Sequence, residues 1–72
     1  MFKLLQKLTA MGYVVELKSA GIRISRASIA KVNPGMSESD ALDWVEMQVQ
    51  EIEDGLHRAI TGDDWMYFDR LN

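Results

Sequence analysis

Between Ser37 and Ile60 the apolar residues fall at Leu42, Val45, Val49, Ile52, Leu56 and Ala59 or Ile60. Steps of three and four trace one side of an α-helix, so this stretch reads as a long amphipathic helix against which the rest must pack. Asp40, Asp43, Glu46, Glu51, Glu53 and Asp54 fill much of the remaining circumference. Ser37 is the expected N-cap, and Asp40 three residues on gives a shorter-armed capping box. Glu38 and Asp40 suit the positive end of the helix dipole. Gly55 inside the stretch costs roughly 1 kcal/mol relative to alanine. The apolar spacing keeps phase across it, so a continuous or kinked helix closing at Gly62 is expected, with a break at Gly55 as the alternative.

Upstream, Phe2 to Met11 reads as a short helix with Leu4, Leu5, Leu8 and Met11 on one side and Gly12 at the C′ position. Tyr13 to Lys18 alternates as a strand does, and Ser19-Ala20-Gly21 supplies a hairpin turn into Ile22–Ser25. A third strand is expected over Ser28 to Val32, although no Gly or Pro separates it from the second. In that register Lys18, Arg23 and Lys31 share the outer face of the sheet. Asn33-Pro34-Gly35 then breaks the chain before the long helix.

The pattern predicts one α+β domain over residues 1–72 in the order α-β-β-β-α. It is a three-stranded antiparallel sheet with a short N-terminal helix and a long acidic C-terminal helix on one face. Residues 63–72 form an aromatic acidic tail holding three of the six aromatics: Trp65, Tyr67 and Phe68. A short terminal helix or an arm folded back onto the domain is expected there, the alternative being an aromatic anchor for a partner. On a helical wheel Trp44 and Met47 lie off the apolar stripe, among carboxylates. Either the tail or a partner must cover them.

The chain contains no cysteine, which excludes disulfides, thiolate chemistry and Cys-based zinc sites. No apolar run approaches the ~20 residues of a membrane span, and Lys3 and Lys7 interrupt any signal-peptide core. A soluble, cytoplasmic protein is expected, without membrane partners. His57, the one histidine, reads as an i, i+4 partner of Glu53 on the helix. Serines 19, 25, 28, 37 and 39 have readier roles in turns, strands and caps than as nucleophiles. No phosphate-binding glycine loop occurs. No catalytic set, metal site or cofactor is expected, and the chain reads as a non-enzyme.

Charge is divided between the halves. Residues 1–35 carry six basic side chains against one acid, a net of +5, and residues 36–72 carry two against ten, a net of −8. Three functions fit this division. The first is a protein-binding module or inhibitor whose acidic helix docks on a basic surface, such as a nucleic-acid-binding complex. Its candidate residues are Asp40, Asp43, Trp44, Glu46, Met47, Glu51 and Asp54. The second is direct nucleic-acid binding through Lys18, Arg23, Arg26 and Lys31. It is the lesser reading, because no aromatic interleaves them and the acidic half repels phosphate. The third is a homo-oligomer built on the helix stripe, which is shorter than a coiled coil normally needs.

The element order and length resemble the double-stranded RNA-binding domain. That family's second helix starts lysine-rich, whereas here Ser37-Glu38-Ser39-Asp40-Ala41-Leu42-Asp43 is acidic, so no RNA-contacting residue carries over. Gly12-Tyr13-Val14-Val15-Glu16-Leu17-Lys18 after a short helix, with the size and acidic charge, is similar to small phage-encoded accessory proteins of the anti-CRISPR kind. That resemblance implies an inhibitor occupying a nucleic-acid site on its target.

Overall fold

The computed structural model describes residues 2–70. Helix α1 (Phe2–Ala10) buries Leu4 and Leu8. The chain leaves it through Gly12, whose φ of 104° is the left-handed conformation that favours glycine. Strands β1 (Val15–Leu17) and β2 (Gly21–Ser25) form the expected antiparallel hairpin, with Val15 opposite Ile24 and Glu16 opposite Arg23.

The chain departs from expectation after Ser25. In place of a third strand comes helix α2 (Arg26–Val32). Ser25 caps it: its Oγ accepts the Ser28 amide at 3.3 Å, while the Ser28 hydroxyl donates to the Ser25 carbonyl at 2.8 Å. Ile29 enters the core and Val32 packs beside it. That three-residue step suits a helix. Lys31 therefore lies on a helix, not on the outer face of the sheet with Arg23.

Helix α3 (Glu38–Ile52) begins as expected, with Ser37 Oγ accepting the Asp40 amide at 3.2 Å. It ends eight residues short of Ile60. Glu53 caps it in extended backbone, and the chain turns through Gly55 into strand β3 (Leu56–Thr61). The break at Gly55 is the alternative that forms. Gly62 lies in the turn of a second hairpin, not at a helix end; its amide donates to the Trp65 carbonyl at 2.8 Å. Strand β4 (Trp65–Arg70) follows.

The sheet has four strands in the order β1-β2-β4-β3, every neighbouring pair antiparallel. The three-strand expectation, and with it the order α-β-β-β-α, is thus corrected to α-β-β-α-α-β-β. The tail does fold back, as a strand between β2 and β3; residues 71–72 lie outside the described residues. Met66 lies opposite Ile24, and Phe68 lies between Ile22 and Arg58. Period-two alternation sends Ile22, Ile24, Leu56, Met66 and Phe68 to one face. There they meet Leu4, Leu8, Ile29, Ala41, Val45 and Val49 in a single core. All three helices share that face, where two were expected. Val45 and Val49 are fully buried in it, so the α3 stripe is used inside the domain and is not open for pairing with a second copy.

Candidate partner-binding surface

Arginines from three other elements engage α3 along its length. Arg26, the first residue of α2, pairs with Glu38 at the start of the helix. Arg58 on β3 reaches its middle, 2.9 Å from Asp43 and 2.7 Å from Glu46. Arg70 on β4 meets Glu53 at the C-cap, 2.8 Å away. The carboxylates of α3 therefore divide. Glu38, Asp43, Glu46 and Glu53 help fix the helix to its neighbours. Among the described residues Asp40, Glu51 and Asp54 form no ion pair.

Asp40, Trp44, Met47 and Glu51 recur at i, i+4, i+7 and i+11, which places them on one stripe of α3. Trp44 is 41% and Met47 54% exposed. The two carboxylates bracket the apolar pair, about 16 Å apart along the axis at roughly 1.5 Å per residue. Beside this stripe Gln48 is held in place: it accepts from the Tyr13 hydroxyl at 2.9 Å and donates toward Met11 Sδ at 3.7 Å. Asn33 Nδ2 in turn donates to the Tyr13 hydroxyl at 3.1 Å. The seven residues singled out in the sequence thus separate. Four form the stripe, Asp43 and Glu46 lie toward Arg58, and Asp54 sits in the turn after the helix.

The four basic candidates are not brought together. Lys18 follows β1 at the hairpin turn. Arg23 stands on the outer face of the sheet, its Nε donating to Glu16 at 2.8 Å and its guanidinium 4.0 Å from the centre of the Trp65 ring. Glu16 foremost, with Tyr67 assisting, raises the Arg23 pKa further above its ordinary value, so it stays charged. Arg26 donates to the Gly62 carbonyl at 2.6 Å and pairs with Glu38. Lys31 is exposed on α2.

His57 is on β3 opposite Asp69, not on a helix beside Glu53. The outer sheet face, with Trp65, Tyr67 and Ile60 alongside Arg23, is absent from the sequence expectation because residues 56–60 continue the helical spacing and residues 63–72 form a tail in it. Its available signal was the alternation of Trp65 and Tyr67 with Met66 and Phe68. Among the described residues no three His, Asp or Glu side chains stand together as metal ligands, and no helix is long and apolar enough to cross a membrane. The chain matches no known family model, curated protein or solved structure.

Proposed function

We propose that this chain is a non-catalytic protein-docking module that presents the Asp40–Trp44–Met47–Glu51 stripe of α3 to a partner. The observation that carries the reading is the exposure of Trp44 and Met47. The tail, the alternative cover for them, is a central strand of the sheet, and β4 cannot leave without taking Met66 and Phe68 out of the core. An apolar centre with a charged rim is the usual anatomy of a protein interface, and Trp is a frequent anchor in one.

The rim carboxylates select a partner whose own apolar patch is edged by Lys or Arg, and they speed encounter with it. A nucleic-acid-binding site on a protein has that character. Masking such a site is the form of inhibition that the charge fits, and it agrees with the resemblance to small phage-encoded inhibitors. Direct nucleic-acid binding is the lesser reading, since Lys18, Arg23, Arg26 and Lys31 are not brought together on one surface and Arg23 is engaged by Glu16.

Charge reversal tests the reading. Asp40→Lys with Glu51→Lys should abolish capture of the partner while the fold is retained. Unchanged affinity for the same partner would sink it.

A further inference from the structure

A cavity of about 190 Å³ opens between α2 and α3, apart from the docking stripe. Ile29, Ala30, Met36, Ala41 and Leu42 give it apolar walls, and Arg26 and Glu38 are its two charged lining residues. A closed apolar cavity of roughly 150 Å³ holds one benzene ring; this one is open to solvent and also lined by Asn33, and its volume admits a ring-sized body with a polar end.

The two charges are not equivalent. The Arg26 side chain is 23% exposed and fastened from behind, donating to the Gly62 carbonyl at 2.6 Å, while its backbone amide donates to the Asp64 carbonyl at 2.9 Å. The Glu38 side chain is 72% exposed, and among the described residues it pairs with Arg26 alone. The positive charge is fixed and its counter-ion can swing into water at little cost. A planar guanidinium held in this way is suited to a carboxylate.

We propose that this cavity binds a small carboxylic acid with an aromatic or branched apolar body. The body fills the space between α2 and α3, and the carboxylate replaces Glu38 on Arg26. Glu38 thus acts as a built-in competitor that caps the empty site. An amine of the same shape would find the fixed positive charge of Arg26 at the wall, so the geometry favours the acid. The inference does not depend on the docking stripe.

The test is an amide NMR titration of the full 72-residue chain with phenylacetate, and in parallel with phenethylamine. Phenylacetate should give saturable shifts at Ile29, Ala30 and Leu42, and phenethylamine much smaller ones. Ala30→Trp, which fills the cavity from an exposed position, should remove the response. Glu38→Gln should tighten phenylacetate by about two- to fivefold, the worth of an exposed ion pair. Asp40→Asn removes the same charge from outside the cavity and should change affinity less. No saturable shifts, equal binding of the amine, or weaker binding by Glu38→Gln would each overturn the proposal. Trp44→Ser should leave the titration unchanged, which separates this site from the docking stripe.

Discussion

Arg58 on β3 donates to Asp43 on α3 at 2.9 Å, and the same nitrogen lies 2.7 Å from Glu46. One cation thus neutralises two carboxylates a turn apart and ties the edge of the sheet to the helix. The consequence is a helix whose acids serve two purposes on two sides. Those toward β3 are structural, and those along the Asp40–Glu51 stripe face solvent.

Arg58→Met keeps the apolar stem and removes the cation. Both carboxylates are left unpaired in partly exposed positions, so the loss is modest, roughly 1 kcal/mol. The buried Nε, which has no partner, is removed as well, and this limits the cost. The melting temperature should fall by about 4–8 °C per kcal/mol for a domain of this size. High salt should narrow the difference between wild type and variant in a thermal melt followed by circular dichroism.

Much of the architecture is legible in local signals, and the failures have local causes. Ser37 as a cap, Gly12 as a helix exit and the Ser19–Gly21 hairpin each depend on one residue type doing something few others can. Ser28-Ile29-Ala30-Lys31-Val32 misleads because one short apolar alternation satisfies a strand while Ile29 to Val32 also satisfies a helix turn. The Ser25–Ser28 cap was the deciding signal. Leu56 and Ile60 misled because they continue the helical phase by coincidence. In the structure Leu56 is buried, whereas Ile60 is 61% exposed beyond an irregularity between Arg58 and Ile60. At the candidate site, the stripe was legible as an off-axis Trp44 and Met47. The capture of Asp43 and Glu46 by Arg58 was not, because it joins residues from two elements whose pairing no spacing encodes.

Removal of residues 65–72 should abolish folding, because β4 joins the two hairpins and carries Met66 and Phe68 into the core. Phe68→Ala alone should cost about 3–5 kcal/mol, a large share of the roughly 5–15 kcal/mol that stabilises a small domain. The truncated chain should show no dispersed amide spectrum. A folded spectrum would mean that the tail is an accessory arm.

Ser28 is buried at the start of α2, and its Oγ accepts the Val14 amide at 3.0 Å while its hydroxyl donates to Ser25. Ser28→Ala leaves the Val14 amide without its acceptor and should cost about 1–3 kcal/mol. Urea unfolding should record that loss. Hydrogen exchange at Val14 should accelerate more than global destabilisation alone requires.

The stripe itself should be dispensable for folding. Trp44→Ser and Met47→Ser, singly or together, should leave the domain folded and cost less than the about 3–5 kcal/mol of truncating a buried aromatic, because 41% of Trp44 and 54% of Met47 is already exposed. A larger drop in the melting temperature would show that the two side chains serve the domain rather than a partner.

The most direct measurement of the docking reading compares wild type with the Trp44→Ser/Met47→Ser variant as tagged baits in an extract of the cells in which the chain is naturally made. Each eluted partner is then assayed for nucleic-acid binding. Wild type should retain a partner whose nucleic-acid binding is suppressed until the chain is removed, and the folded variant should retain none of it. Equal capture by the folded variant would contradict the assignment of the α3 stripe as the interface.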